Sequence, residues 1–489
     1  MSSSPDLSDA GRPLPDRGAA PDLTAFVKTY DVRGLVGSQL TPEVVEAIGA
    51  GFVDEIGAAG QDVVVGHDMR DSSPGFAMAF ARGVQARGGN VIAIGLCSTD
   101  ESYFASGSLD APAAMFTASH NPATYNGIKL SRAGARGISI DTGLAGVRDR
   151  AIAYLSAGDI PAVAAPGSYR ELDVLADYAA YLRGLVDLTG IRPLRVVVDA
   201  GNGMGGLTVP AVLGTAAGLP ALPIEVIPLY FELDGTFPNH EANPLEPANL
   251  VDLQKAVVEH GADLGLAFDG DADRCFVVDE RGEAMNPSAV AAVVALREVR
   301  RVGTDGGPIH VIHNLITSRI VPETILAAGA VPVRTRVGHS LIKDEMAATG
   351  AIFGGEHSAH YYFRDFWGAD NGMLAAMHLL AEFGGAAGAD PEPLSALARR
   401  YTPYAMSGEL NSTVTDIPAA YSRIVEAYAA FDFDELDGLT VSGSTDGVFW
   451  WFNVRPSNTE PLLRLNVEAG EAPAMERIRD HVLALIRTP

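Results

Sequence analysis

The chain alternates short runs of valine and isoleucine with long alanine-rich segments, and this alternation constrains its fold more than any other feature. Runs at 63–65, 196–198 and 310–312 are each followed by a polar or glycine-rich turn. Such runs are typical of parallel strands buried on both faces. Because the segments between them have helical spacing, the pattern predicts an α/β fold, in which helices cover both faces of each sheet. The unequal spacing predicts similar modules with different insertions rather than a short repeat.

After about residue 400 the pattern changes to alternating or apolar stretches joined by short turns, which predicts an antiparallel sheet. A helix closes it, because Met475, Ile478, Val482 and Leu485 form one apolar stripe and Pro473 stands where a helix can start. The predicted segments are a disordered N-terminal tail at 1–22, α/β domains at 23–164, 165–283 and 284–400, and an α+β domain at 401–489.

Composition excludes several classes of protein. The formal net charge of −26 argues against a chain that coats nucleic acid or an anionic membrane. No apolar run reaches the roughly 18 residues of a membrane-spanning helix. Cys97 and Cys275 lie far apart without a CxxC spacing, which predicts neither a disulfide framework nor a zinc ribbon and suits a reducing cytosol.

The hexapeptide TASHNP (117–122) follows an apolar run and ends at a proline, so it is predicted to be a loop leaving a strand. A serine hydroxyl needs a base or a strong electrophile beside it to react at neutral pH. The motif therefore predicts either that Ser119 is a nucleophile or that Ser119 and Asn121 hydrogen-bond local backbone groups in a turn.

Three aspartates, Asp269, Asp271 and Asp273, alternate with small residues between two strand-like runs. Carboxylates at this spacing converge on a hard divalent cation when the loop curls around it, and without a cation they repel one another. An EF-hand does not fit, because Arg274 stands where its sharp turn requires glycine and the flanks look like strands. The motif predicts a metal site, with Mg²⁺ favoured over Ca²⁺.

Two other loops carry groups suited to recognising sugars and phosphates. GGEHSAH (354–360) has two histidines three residues apart beside Glu356. Zinc usually takes three or four ligands, so a loop that contacts ligand hydroxyls is at least as good an interpretation. RPSNTEP (455–461) offers the donors that a phosphate dianion needs. It also fits an ordinary hairpin loop with Arg455 paired to Glu460.

The glycine-rich segment GNGMGG (201–206) matches the GxGxxG pattern of dinucleotide sites. Such a site also needs an acidic residue about 20 residues later, at the end of the next strand. Glu225 instead precedes the core of the run EVI. The segment therefore predicts a tight strand-to-helix turn rather than a cofactor site.

Together the first four motifs indicate phosphoryl transfer on a polyol phosphate. Their order and content resemble the α-D-phosphohexomutase family, specifically its bacterial phosphomannomutase/phosphoglucomutase branch. The resemblance spans nearly the whole chain after about residue 24. Further matching segments are YDVRG (30–34), GHDMRDSS (66–73), YNGIK (125–129) and RVGHSLIK (336–343).

The resemblance implies three related α/β domains with mixed sheets plus a C-terminal α+β domain, arranged around a central active-site cleft. It implies reversible interconversion of hexose 1-phosphate and hexose 6-phosphate, with mannose and/or glucose as the sugar. The reaction would pass through a phosphoserine enzyme and a hexose 1,6-bisphosphate, which is also the activator, with Mg²⁺ as cofactor. The only partners expected are small-molecule hexose phosphates, with no nucleic acid and no membrane, for a cytoplasmic monomer or homodimer.

The resemblance also implies roles for individual residues. The catalytic residues would be Ser119, Lys129, His339, Arg33 and Arg274. The substrate-binding residues would be Tyr30, His120, Lys343, Glu356, Ser358, His360, Arg455, Ser457, Asn458 and Thr459. The metal ligands would be Ser119, through its phosphate, with Asp269, Asp271 and Asp273.

Within these sets, Lys129 and His339 are expected to transfer protons, while Arg33 and Arg274 stabilise charge. Glu356 and Ser358 would contact the 3- and 4-hydroxyls of the sugar, and the loop beginning at Arg455 would hold the phosphate that is not reacting. Ala359 stands where related loops usually have glycine, which is expected to tighten the loop.

The main alternative is a metal-dependent sugar phosphatase in which Asp269 is the nucleophile, because a strand followed by Asp269 and Asp271 also fits that class. Asp273 stands where that class has threonine or valine, and the motif lies in mid-chain, which both disfavour it. A dinucleotide-dependent oxidoreductase built on GNGMGG would leave the other four motifs unexplained.

Overall fold

The computed structural model describes residues 22–303, 306–386, 388, 392–456 and 462–488. Within these ranges the chain forms four sheets with helices packed against them. The predicted tail at 1–22 falls, apart from residue 22, outside the described residues.

The first domain is a mixed sheet in the order β1-β5-β4-β2-β3-β7, with β6 added to β5. Strands β4, β2, β3 and β7 are parallel, whereas β5 runs antiparallel to both β4 and β1. The strands are β1 (Val32–Leu35), β2 (Asp62–His67), β3 (Asn90–Leu96), β4 (Ala113–Phe116), β5 (Tyr125–Arg132), β6 (Arg136–Gly137) and β7 (Tyr169–Glu171). The helices are α1 (Pro42–Ile56), α2 (Ser73–Ala86), α3 (Thr99–Ser108) and α4 (Leu144–Ala157).

The second domain has a four-stranded sheet in the order β11-β10-β8-β9, in which only β11 is antiparallel to its neighbour. Its strands are β8 (Leu194–Asp199), β9 (Ile224–Leu229), β10 (Leu264–Phe268) and β11 (Cys275–Asp279). The accompanying helices are α5 (Leu175–Leu185), α6 (Gly205–Val212) and α7 (Val251–His260). The GNGMGG segment is the turn from β8 into α6, as predicted.

The third domain has a five-stranded sheet in the order β13-β12-β14-β15-β16, parallel from β13 to β14 and antiparallel beyond it. Its strands are β12 (His310–Asn314), β13 (Val331–Thr335), β14 (Phe353–Gly355), β15 (Tyr361–Phe363) and β16 (Ala369–Asp370). Its helices are α8 (Pro287–Val302), α9 (Ile320–Ala327), α10 (His339–Thr349), α11 (Gly372–Gly384) and α12 (Leu394–Arg400).

The fourth domain is antiparallel throughout, in the order β17-β21-β20-β19-β18. Its strands are β17 (Ala405–Thr413), β18 (Asp432–Asp434), β19 (Leu439–Thr445), β20 (Val448–Pro456) and β21 (Leu462–Ala469). Helix α13 (Ile417–Ala427) and helix α14 (Ala472–Arg487) cover one face. The predicted combination of three α/β domains and a C-terminal α+β domain is therefore confirmed.

The apolar cores explain why these elements pack as they do. One large cluster of buried side chains joins the first three domains, while a second lies under α1 and α2 of the first domain. The fourth domain has a separate core of its own between its sheet and its two helices. None of the helices in the described ranges combines the length and the apolar character needed to cross a membrane.

Candidate active site

Ser119 lies in the loop that follows β4, and its backbone is held in an unusual conformation. Its φ angle is +49°, a left-handed value that is uncommon for a residue with a side chain. Its amide donates to Thr117 Oγ1 at 2.9 Å, and its hydroxyl donates to Asp269 Oδ2 at 2.8 Å. The serine is only 5% exposed, so the loop presents one oriented hydroxyl to the second domain.

Arg70 holds this serine loop from behind. Its guanidinium donates to the main-chain carbonyl oxygens of Ser119 (2.9 Å), Asn121 (2.7 Å), Pro122 (3.0 Å) and Tyr125 (3.0 Å). The fully buried carboxylate of Asp68 balances its charge, with Nε and Oδ2 3.2 Å apart. Arg70 lies in the segment GHDMRDSS, but its role could not be predicted from sequence.

The three aspartates converge in the loop between β10 and β11, as predicted. One carboxylate oxygen from each aspartate lies within 4.8 Å of one from each of the other two, and all three residues are buried. Gly270 permits this packing, because a Cβ at that position would lie 2.4 Å from the carbonyl oxygen of Ser119. The metal loop and the serine loop therefore meet backbone to backbone.

Lys129 donates to one oxygen of each of two aspartates, and Thr99 donates to the same oxygen of one of them. Lys129 Nζ donates to Asp271 Oδ2 at 2.7 Å and to Asp273 Oδ2 at 2.6 Å. The Thr99 hydroxyl also donates to Asp271 Oδ2 at 2.6 Å, and its amide donates to the Asp271 carbonyl at 3.0 Å. Thr99 begins α3 of the first domain and was not predicted from sequence.

The remaining oxygens suit a divalent cation. Asp271 Oδ1 and Asp273 Oδ1 are buried and make no hydrogen bond with any described residue. Buried carboxylate oxygens without donors are costly unless a cation is bound. Oxygen-only ligands at close range are the donor set that Mg²⁺ prefers, so the residues present fit the predicted metal.

The charges around the cluster shift its pKa values in opposite directions. Burial, reinforced by the neighbouring aspartates, raises the pKa of Asp269 to about 7 in spite of Arg274. Burial would also raise the pKa of Asp271, but Lys129 outweighs it and holds that pKa below its usual value. Burial alone would lower the pKa of Lys129, yet Asp271 and Asp273 hold it well above the usual range. Lys129 is therefore a cation here.

Arg274 bridges the metal loop and the serine loop. Its Nε and Nη2 donate to Asp269 Oδ2 at 3.0 and 2.8 Å, and Nη2 also lies 2.5 Å from His120 Nδ1. Burial, together with the positive charges of Arg274 and Arg33, holds the pKa of His120 well below its usual value. His120 is therefore a neutral imidazole, 3.2 Å from the Ser119 hydroxyl.

A cavity of about 190 Å³ lies in front of Ser119. It brings together nine residues that the sequence predicted for the site, namely Tyr30, Arg33, Ser119, His120, Lys129, Asp273, Arg274, Lys343 and His360. Tyr103 and Asp370 also line it and were not predicted. The first, second and third domains each contribute to this one cavity.

Lys343, on α10, is held by those two unpredicted residues. Its Nζ lies 2.8 Å from Asp370 Oδ1 and 4.2 Å from the centre of the Tyr103 ring. Burial alone would lower the pKa of Lys343, but Asp370 outweighs it, so the pKa is raised and the amine is charged. His339 begins the same helix, but its side chain lies outside the described part of the chain.

Arg33, on β1, is held by two partners at the edge of the cavity. It donates to Asp31 Oδ2 and to Asn121 Oδ1, each at 2.6 Å. The contact with Asn121 connects it to the serine loop. Tyr30 lies just before β1 and lines the same cavity.

The GEHSAH loop (355–360) reaches the cavity through its last residue, His360, and its polar groups contact one another. The Ser358 hydroxyl donates to Glu356 Oε2 at 2.9 Å, and His360 Nδ1 lies 3.1 Å from Ser358 Oγ. Burial alone would lower the pKa of His360, but Glu356 outweighs it and raises the pKa. Ala359 adopts φ +66°, the conformation that glycine tolerates best. Glu356 and Ser358 do not line the cavity in front of Ser119.

Arg455, at the end of β20, lies apart from that cavity. Its Nη2 contacts Glu409 Oε2 at 2.6 Å, and its side chain is 9% exposed. Ser457, Asn458, Thr459 and Glu460, for which phosphate binding or pairing with Arg455 was predicted, lie outside the described residues. Glu409 was not identified from sequence.

Comparison with known proteins agrees with this architecture. Family models of phosphoglucomutase/phosphomannomutase match the chain in four segments. Alpha/beta/alpha domain I matches residues 25–145, domain II 176–282, domain III 286–404, and the C-terminal domain 409–485. A phosphomannomutase of Salmonella typhimurium is 40% identical over 471 residues, which are 95% of this chain and 99% of the relative.

Solved structures show the same fold. A phosphoglucomutase/phosphomannomutase family protein of Burkholderia thailandensis superposes with a TM-score of 0.81 at 31% identity, over 95% of this chain and 98% of that one. More distantly, the N-acetylphosphoglucosamine mutase of Aspergillus fumigatus, solved with GlcNAc-6P and magnesium, gives a TM-score of 0.57 at 14% identity, over 96% of this chain and 98% of its own. The chain therefore belongs to the phosphoglucomutase/phosphomannomutase family and is an enzyme of the phosphohexomutase type.

Proposed function

We propose that the chain interconverts hexose 1-phosphate and hexose 6-phosphate, with mannose and/or glucose as the sugar. The reaction passes through phosphorylated Ser119 and a hexose 1,6-bisphosphate, in a cytoplasmic enzyme. The single observation that carries the proposal is the 2.8 Å hydrogen bond from the Ser119 hydroxyl to Asp269, inside a cluster of three buried carboxylates.

The charges in the cavity explain why a metal is needed. A phosphoserine carries about −1.5 to −2 charges at neutral pH, and it would lie against three aspartates. Asp269, Asp271 and Asp273 would hold Mg²⁺ together with a phosphoserine oxygen. When bound, the cation offsets this charge and polarises the phosphorus for in-line attack.

The transfer exchanges one phosphorus–oxygen bond for another. The 6-hydroxyl of a hexose 1-phosphate attacks the phosphoryl group, its O–P bond forms, and the bond to Ser119 Oγ breaks. Arg274 lies 3.5 Å from that oxygen, where it stabilises the charge that develops there. The bisphosphate then turns around and returns its other phosphate to Ser119, so the net reaction is an isomerisation.

Two residues, Lys129 and His339, are proposed to take part in proton transfer. Because Lys129 stays protonated beside Asp271 and Asp273, it supplies positive charge or a proton rather than removing one. His339 is the other residue expected from sequence to transfer protons, and we propose it as the acceptor because Lys129 is charged. Glu356, Ser358 and His360 would contact the sugar hydroxyls, while Arg455, Ser457, Asn458 and Thr459 would hold the distal phosphate.

The phosphatase alternative requires Asp269 to attack phosphorus. Asp269 is fully buried, and its Oδ2 accepts hydrogen bonds from Ser119 and from two nitrogens of Arg274. Its Oδ1 accepts from the Arg274 amide at 3.1 Å. Hydrogen bonds and the positive charge of Arg274 lower the nucleophilicity of this carboxylate and still leave it able to bind a cation, which favours Ser119 as the nucleophile.

Intact-protein mass spectrometry after incubation with glucose 1,6-bisphosphate and Mg²⁺ tests the assignment. We expect one phosphoryl group, mapped to Ser119 by peptide analysis. It should be absent in Ser119→Ala and unchanged in the control Ser108→Ala, which alters an exposed serine at the end of α3. A hydroxylamine-labile phosphoryl group on Asp269, retained in Ser119→Ala, would contradict the proposal.

A further inference from the structure

Two arginines face each other across strands of the fourth domain. Arg455 on β20 and Arg464 on β21 are direct register partners in an antiparallel pair. Directly opposite residues in such a pair point to the same face of the sheet, and like charges in this arrangement destabilise it. An anion between the two guanidinium groups relieves this repulsion.

Glu409 supplies that anion in the described structure. Its Oε2 lies 2.6 Å from Arg455 Nη2, and its Oε1 lies 3.2 Å from Arg464 Nη1. One carboxylate thus gives one oxygen to each arginine, as two oxygens of a phosphate would. Glu409 reaches this position from β17, where the register shifts between Met406 and Glu409 and Gly408 adopts φ +68°.

We propose that Glu409 determines the charge specificity of this anion site, defined as the guanidinium groups of Arg455 and Arg464. Glu409 occupies the site until a doubly charged phosphate displaces it. The inference rests on the proposed function only in taking that phosphate to be the non-reacting phosphate of the substrate. It goes beyond that function by giving Glu409 the role of an internal competitor.

The exposures of the three side chains indicate which of them is fixed. The Arg455 side chain is 9% exposed, whereas those of Glu409 and Arg464 are 30% and 29% exposed, so Arg455 is held in place and Glu409 has room to rotate into water. Arg455 Nε is buried and makes no hydrogen bond with any described residue. The carboxylate therefore leaves a donor unused that an anion with more acceptor oxygens could satisfy.

Charge then selects the incoming anion. A singly charged anion that replaces the Glu409 carboxylate leaves the charge of the site unchanged and gains little. A phosphate dianion brings a second charge and a third acceptor oxygen to two guanidinium groups. Glu409 therefore excludes monoanions, such as chloride or nitrate, from the two guanidinium groups.

Calorimetric titration of the full-length protein with inorganic phosphate, in the presence and absence of nitrate, tests this role. Glu409→Gln keeps the size of the side chain and removes its charge, so we expect it to bind phosphate about tenfold more tightly. Nitrate should compete with phosphate in this variant and have little effect on the wild type. Glu426→Gln, at an exposed position on α13, changes the net charge equally and should behave as the wild type.

The double variant Glu409→Gln/Arg455→Gln locates the binding event, since the gain should vanish in it. Weaker phosphate binding by Glu409→Gln, or unchanged binding, would overturn the proposal, because Glu409 would then position the arginines or be irrelevant to them. A gain that survives in the double variant would overturn it as well. Because inorganic phosphate needs no turnover, the expected gain in a protein without mutase activity would refute the proposed reaction and leave the role of Glu409 standing.

Discussion

The buried guanidinium of Arg70 donates a hydrogen bond of 2.9 Å to the main-chain carbonyl oxygen of Ser119. Three further carbonyls of the same loop accept from it. Lysine keeps the charge but offers three donors from one point instead of a planar set of five. We expect Arg70→Lys to lower kcat by about 100-fold, since a shift of about 1 Å at a reacting group has that effect.

The control for this prediction is Arg82→Lys, which changes an exposed arginine paired with Glu46 in the same domain. It should leave kcat within twofold of the wild type. Circular dichroism and thermal unfolding would establish that Arg70→Lys is folded. A folded Arg70→Lys protein with wild-type kcat would show that the loop does not depend on this clamp.

Thr99 is expected to orient Asp271 for the metal. Its hydroxyl donates a hydrogen bond of 2.6 Å to Asp271 Oδ2. The other oxygen, Asp271 Oδ1, has no hydrogen-bond partner among the described residues. Residues that hydrogen-bond to a metal ligand typically contribute 10- to 100-fold to metal affinity. Thr99→Val should therefore raise the Kd for Mg²⁺ by about tenfold. Calorimetric Mg²⁺ titration measures this directly.

Thr99→Ser keeps the hydroxyl and should bind Mg²⁺ as the wild type does. Saturating Mg²⁺ should restore most of the rate of Thr99→Val. If Thr99→Val lost activity while its Kd for Mg²⁺ was unchanged, Thr99 would act on packing and not on the metal.

Glu101, in the first turn of α3, makes stability depend on pH. Burial raises its pKa from 4.5 to about 8. Between those values the folded protein keeps a proton that the unfolded chain has lost, so stability falls as pH rises through this window. Glu101→Gln removes that loss and can still accept from the Ser98 amide. It should be more stable than the wild type by about 1.4 kcal/mol or more at pH 8, the equivalent of one pKa unit.

Urea unfolding of both proteins at pH 4.5 and pH 8 checks this expectation. Their free energies of unfolding should agree at pH 4.5, where the carboxyl is protonated in the folded state, and diverge at pH 8. The exposed Glu171→Gln should show no such divergence. Equal stability of Glu101→Gln and the wild type at pH 8 would mean that water reaches the carboxyl.

Ala359 has a left-handed backbone conformation, with φ +66°, in the loop that carries Ser358 and His360. Glycine adopts this conformation without the clash that a Cβ introduces. Ala359→Gly should raise the free energy of unfolding by about 0.5–1 kcal/mol, measured by urea unfolding. A decrease would show that packing of the fully buried methyl group outweighs the relief of backbone strain.

The parts of the site that lie next to strands could be predicted from sequence. Runs of valine and isoleucine locate buried strands, so the loops carrying Ser119 and Asp269 were predicted at the ends of the strands where they are found. Carboxylate spacing likewise predicted that three aspartates would converge.

The supporting contacts could not be predicted, because they join residues far apart in sequence. Thr99 and Asp271 are 172 residues apart, and only the packing of the first domain on the second brings them together. Arg455 was expected to bind phosphate or to pair with Glu460. Its observed partner, Glu409, comes from β17, which pairs with β21 next to the strand that carries Arg455.

Phosphorus NMR follows phosphoryl transfer through Ser119 directly. The sample contains mannose 1-phosphate, glucose 1-phosphate, Mg²⁺, the protein and a trace of hexose 1,6-bisphosphate, with Ser119→Ala followed in parallel. We predict growth of 6-phosphate signals at constant total phosphate ester, lost in Ser119→Ala. Growth of inorganic phosphate, undiminished in Ser119→Ala, would instead show that the protein is a phosphatase with Asp269 as its nucleophile.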